Sequence, residues 1–126
     1  TLLAPGLLEE AGVKVAFSDG DTHNVRLIPQ LAGNAVANGM SHQAALAAIT
    51  AVPAMIFGVD DSHGTLSPGK VADIVVWDGD PLEVTSRPRL VMIDGAAKSL
   101  KNRQSALAER YRNLERGDLP RAYQGR

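Results

Sequence analysis

An isolated strand pattern near the start of the chain restricts the possible folds more than any other feature. In "GVKVAFSDGD", Val13, Val15 and Phe17 alternate with Lys14 and Ala16. Period-two alternation with β-branched and aromatic content predicts a strand of about five residues. Leu7 to Ala11 reads as the end of a short helix closed by Gly12, the usual residue past a helix C-terminus because it accepts positive φ. Helix, glycine, strand is the rhythm of an α/β protein. A lone strand flanked by helices leaves backbone donors and acceptors unpaired on both sides. The chain is therefore expected to be a piece of something larger, or to pair with another copy. Its opening on Thr1 rather than Met points the same way.

Beyond a loop, Val25 to Asn38 predicts a helix with Pro29 in its first turn, where the missing N–H does no harm. Asn38-Gly39 ends it. Ser41 is a good N-cap for the alanine-rich "SHQAALAAIT". "AVPAMIFGV" reads as a further short helix, with Pro53 at its start and Gly58 at its end. The character changes at Asp60: "DDSHGTLSPGK" is loop chemistry, with Ser-Pro-Gly-Lys a tight turn. Strands follow in "VADIVVWDGDP" and "RLVMIDGAAKSL", the second split by Asp94-Gly95, a strong hairpin signal. Asn102 to Arg116 favours helix with a narrow apolar stripe of Leu107, Tyr111 and Leu114. Gly117, Pro120 and Gly125 close the chain without regular structure.

Composition removes several classes of function. A chain of 126 residues fits one modest domain, and 44% hydrophobic residues can supply a core. A formal net charge of -1 gives no electrostatic case for nucleic acid or an anionic membrane. Cysteine is absent, which excludes disulfides and thiolate metal sites. No apolar run approaches the roughly 20 residues that span a bilayer.

The candidate chemistry lies at the strand ends. Asp19 closes the Val13–Phe17 strand just before Gly20. In α/β folds ligands bind at the carboxyl ends of strands, and in (β/α)8 barrels catalytic groups sit there. A carboxylate so placed can ligate a divalent metal, accept a proton from the water it activates, or both. The alternative is an Asx-turn or helix cap. Asp21 and His23 are either contacts to substrate or to a metal's outer sphere, or caps of the next helix. His42 and His63 read as solvated. No His-x-His or His-Glu-x-x-His pattern is present, so a complete zinc site cannot be assembled from these residues. Asp78-Gly79-Asp80-Pro81 repeats the strand-Asp-Gly theme. The "LEVTSRP" after it reads as a strand exit loop and not as a helix N-terminus for phosphate. The basic residues between Lys98 and Arg116 alternate with Glu109 and Glu115, as on a solvated helix face.

These residues together resemble a family. Gly64-Thr65-Leu66-Ser67-Pro68-Gly69-Lys70-Val71-Ala72-Asp73 and its continuation "IVVWDGDPLE" are similar to the C-terminal signature of the amidohydrolase superfamily. "GMSHQAALAAITAVPAMIFGV" resembles the helices that precede that signature. The match runs in order over Gly12 to Leu100, and its flavour is that of the imidazolonepropionase-like group.

The resemblance implies an α/β fragment: the last strand and helices of a (β/α)8 barrel over residues 1–57, C-terminal strands of a small β-sandwich over 58–101, and a C-terminal helix and tail over 102–126. It implies a metal-dependent hydrolase of C–N bonds, amide or cyclic amide, working through a metal-activated water. In that family the Asp ending the eighth strand binds the metal and takes a proton from the hydrolytic water, and Asp19 matches its position. His23 is the candidate substrate contact. The implied cofactor is a divalent metal, zinc, in the full-length protein. The implied partner is a small-molecule substrate, with no nucleic acid and no membrane, and a homo-oligomer is compatible. The family's first-strand His-x-His and mid-barrel ligands fall outside this chain, so the chain alone is expected to be inactive. The competing expectation is a non-catalytic association module.

Overall fold

A computed structural model describes residues 1–20 and 22–112. The element order is α1 (Ala4–Glu10), a 3-10 helix (Thr22–Leu27), α2 (Ile28–Ala37), α3 (His42–Ala47), α4 (Ala51–Ile56), β1 (Ile74–Trp77), β2 (Pro88–Ile93), β3 (Ala96–Ala97) and α5 (Arg103–Tyr111). Helices therefore fill the first half and one antiparallel sheet, in the order β1-β2-β3, fills the second. Among the described residues no helix is long and apolar enough to cross a membrane.

The helix ends follow the local chemistry. Pro29 sits in the first turn of α2, and the predicted start at Val25 becomes the 3-10 turn that leads into it. Ser41 caps α3 in an extended conformation, its hydroxyl accepting from the Ala44 N–H at 3.2 Å. Asn102 and Ser105 form a reciprocal capping box at α5. The predicted helix at 102–116 thus holds over Arg103–Tyr111, while 113–116 lie outside the described residues, as do Gly117, Pro120 and Gly125.

Turn chemistry sets the sheet. Lys70 N–H donates to the Ser67 carbonyl at 3.2 Å with Gly69 at φ +88, a type II turn with Pro at its first corner. Asp94 (φ 52) and Gly95 (φ 72) make a type I′ hairpin between Ile93 and Ala96, which suits the twist of the strands. The Asp73 carboxylate accepts the Asp94 N–H at 2.8 Å and holds that hairpin against the entry to β1. β1 and β2 pair from Ile74↔Met92 to Val76↔Leu90, then slip to Trp77↔Pro88 and leave Arg89 over at the irregularity.

The predicted strand at Val13–Phe17 is corrected. The segment is extended, and its exposure alternates from Val15 to Asp19 as a strand's would, yet it joins no ladder among the described residues. A strand is completed by its neighbours, and the only sheet described is built from residues 74–97. The segment is held by its side chains and by two backbone bonds, Val13 N–H to the Leu8 carbonyl at 2.9 Å and Phe17 N–H to the Ala48 carbonyl at 3.2 Å.

The core is small and alanine-rich. Ala32, Ala35, Met40, Ala45, Ala48 and Leu82 are buried together, with Val15, Phe17, Val36, Ala44 and Ile49 packed around them. Alanine at these positions lets α2 and α3 approach closely. Leu82, from the loop between β1 and β2, is 6% exposed and is the sheet's contribution to this helical core. Burying such a side chain is worth about 1.5–3 kcal/mol.

Carboxylates tie the layers together. Glu9 of α1 accepts the Ser41 N–H at 2.8 Å and also the Ser41 hydroxyl. The bond from that hydroxyl is the main cause that lowers Glu9 from its ordinary 4.5. Asp78 is lowered from 3.8 chiefly by the Arg87 N–H, at 2.7 Å, with Arg89 at 3.0 Å adding to it. Asp80 is lowered chiefly by the Leu82 N–H, at 2.9 Å. A depressed folded-state value contributes stability that is complete above the unfolded value and is lost as pH falls through the folded one. Stability is thus expected to hold at neutral pH and to fall below about pH 4. Thermal melts across pH 2–7 check this, and Glu9→Gln with Asp78→Asn and Asp80→Asn should flatten the acid limb. An unchanged limb in that variant would refute the assignment.

Candidate active site

Asp19 sits at the end of the extended segment, half-buried, with Gly20 exposed beyond it. Val15 and Phe17 are the more buried residues of the same stretch, and the alternation puts Asp19 on their side. Because Val15 and Phe17 pack on the alanine core, the position of the carboxylate is set by α2 and α3 beneath it.

His23 is exposed, in the 3-10 helix Thr22–Leu27. Its carbonyl accepts from the Arg26 guanidinium, a bond that steadies the turn and leaves the imidazole to other partners. Asp21, the other residue singled out in this loop, lies outside the described residues.

A carboxylate oxygen such as that of Asp19 suits zinc and harder divalent ions. Among the described residues, no group of three or more His, Cys, Asp or Glu side chains comes together to hold an ion. Asp19 therefore fits as one ligand of a set that these residues do not complete.

Two histidines have partners that their sequence context does not show. His42 is exposed, as expected of a solvated residue, and places Nε2 at 2.7 Å from Asp80 Oδ2. His63, in its polar turn, is half-buried, with Nδ1 at 2.8 Å from the Ser62 hydroxyl and Nε2 at 4.0 Å from Asp73. A groove of about 530 Å³ runs between the 3-10 helix with the start of α2 and the face of β1 and β2, with Leu27, Trp77 and Leu82 in its walls. Neither the His42–Asp80 pair nor the core position of Leu82 is marked by its own sequence neighbours. The available signal was Asp80-Pro81-Leu82, an Asx-turn sequence at a strand exit followed by an apolar residue.

The chain is similar to known proteins over most of its length. The amidohydrolase family profile matches residues 1–108. The chain is 36% identical over 92 residues, 73% of its length, to amidohydrolase tasK of Hapsidospora irregularis, and it covers 9% of that protein. It is 36% identical over 74 residues to imidazolonepropionase of Pseudomonas putida, covering 56% of this chain and 18% of the relative. Urease subunit alpha of Sulfurisphaera tokodaii is 47% identical over 51 residues, 40% of this chain and 9% of the relative. A crystal structure of an amidohydrolase from Thermotoga maritima MSB8 superposes with a TM-score of 0.73 at 32% identity, covering 79% of this chain and 26% of that one. The chain thus spans between 9% and 18% of the length of these curated relatives.

Proposed function

The chain belongs to the amidohydrolase family, and from that premise we propose that it is the C-terminal part of a metal-dependent hydrolase that cleaves C–N bonds in an amide or cyclic amide. Enzymes of this family act on small molecules, hydrolyse C–N bonds and are generally metal-dependent. In this reading residues 1–57 are the last strand and helices of a (β/α)8 barrel and 58–101 are strands of a β-sandwich. Residues 102–126 are the C-terminal helix and tail. The extended Val13–Asp19 segment is the final barrel strand, whose neighbours come from outside this chain.

The observation that carries the proposal is Asp19: a half-buried carboxylate at the end of an extended segment and on the side of its packed residues. In the full-length protein Asp19 would be one of the residues that hold a divalent metal, zinc, and its carboxylate would take the proton from the hydrolytic water that adds to the scissile carbonyl. A bound divalent cation supplies the lowered water pKa that makes this proton transfer accessible near neutral pH. Asp19 then passes the proton to the departing nitrogen. Val15 and Phe17 hold the carboxylate in place, and His23, exposed at the start of the following turn, contacts substrate.

The test is C–N hydrolysis by the full-length protein, with metal content measured on the same sample. Hydrolysis that is lost on chelation and restored by zinc supports the proposal. A full-length protein that carries no metal, hydrolyses no amide and self-associates in light scattering would shift the reading to an association module. The exposed Leu2, Leu3, Leu7, Ile56 and Phe57 would then be its contact surface.

A further inference from the structure

Helix α3 is gripped at both ends by groups from elsewhere in the chain. At its start, His42 Nε2 meets Asp80 Oδ2 at 2.7 Å, while the other oxygen of Asp80 accepts the Leu82 N–H at 2.9 Å. Asp80 thereby fixes the turn that drives Leu82 into the core, where its backbone carbonyl lies against Gly33 of α2. One residue earlier, Ser41 is held by Glu9 of α1. At its far end, the carbonyl of Ala48, the residue that closes α3, accepts the Phe17 N–H at 3.2 Å. Ala48 is fully buried, and Phe17 packs on the same core two residues before Asp19.

We infer that α3 is a strut. Through the His42–Asp80 bond at one end and the Ala48–Phe17 bond at the other, it couples the loop between β1 and β2 to the segment that ends in Asp19. His42 and Asp80 are positioning residues: they touch no reacting group and act through a helix of six residues and the core that Leu82 fills. A single well-packed helical turn and a half transmits displacement because its hydrogen bonds and close-packed alanines leave little room for internal adjustment. The consequence for catalysis rests on the proposed role of Asp19, whereas the coupling itself does not.

Amide hydrogen exchange of the full-length protein reads the coupling without any assay of activity. The His42–Asp80 pair is partly exposed, 49% and 38% by side chain, so its loss is expected to have a modest local effect. His42→Ala should speed exchange of the Leu82 and Phe17 amides about two- to fivefold, with the β2 amides unchanged. His42→Gln, which can present an amide donor near the same place, should restore both amides toward their original rates. Asp80→Ala, which also strips the Leu82 N–H of its acceptor, should act more strongly on Leu82. Combining it with His42→Ala should add nothing further at Phe17. Faster exchange at Leu82 with Phe17 unmoved would overturn the strut, and so would equal acceleration of the β2 amides. Equal behaviour of His42→Ala and His42→Gln would overturn the role of the hydrogen bond.

Discussion

Asp19→Asn is expected to lower kcat/KM of the full-length hydrolase by about 10²–10⁴-fold, the usual range for loss of a positioned general base. Asparagine keeps the volume and one oxygen donor but removes the negative charge and the ability to accept a proton from water. Steady-state kinetics on a C–N substrate, with metal content measured alongside, checks both roles. Loss of turnover with metal retained assigns Asp19 chiefly to proton transfer, and loss of both assigns it to metal binding as well. An Asp19→Asn enzyme with undiminished turnover would remove the residue from the mechanism. The fold should be unaffected, because Asp19 is half-buried and outside the alanine core.

Gly33→Ala is expected to destabilise the protein by about 1–3 kcal/mol or more, the cost of overpacking a close contact. Ordinary helix propensity predicts the opposite sign, since alanine is favoured over glycine inside a helix by roughly 1 kcal/mol. At this position a Cβ would lie 2.3 Å from the Leu82 carbonyl oxygen, a backbone atom that cannot rotate away. Relief would require the loop to lift, which would draw Leu82 from the core and strain the Asp80–His42 bond. Chemical denaturation of the Gly33→Ala variant measures the effect. A midpoint raised above that of the parent would show that the loop yields without cost. In the structure Gly33 is where α2 comes against the backbone of the loop between β1 and β2.

Local chemistry was legible wherever one residue's stereochemistry dominates. Ser41 as an N-cap, the Ser67–Lys70 turn and the Asp94-Gly95 hairpin all form as their residues predict. The family also showed through, because the Gly64–Asp73 stretch carries a pattern of turn and strand residues in a fixed order. The Val13–Phe17 ladder was not legible correctly, because alternation specifies an extended backbone with two different faces and says nothing of which strands lie beside it. The pairing of His42 with Asp80 was not legible for a related reason. A histidine in the first turn of an exposed helix carries no local mark of a carboxylate that follows 38 residues later.

By itself the sequence determined the extended segment, its terminal carboxylate, the helix caps and the hairpin, each decided within a few residues by backbone preference and side-chain reach. Only the tertiary structure decided that Leu82, from the loop between β1 and β2, completes a helical core, that Gly33 must be glycine to admit its carbonyl, and that Asp80 grips α3 by His42. Those contacts join residues distant along the chain. Their energies depend on distances of a few ångströms between surfaces that exist only once the layers have packed.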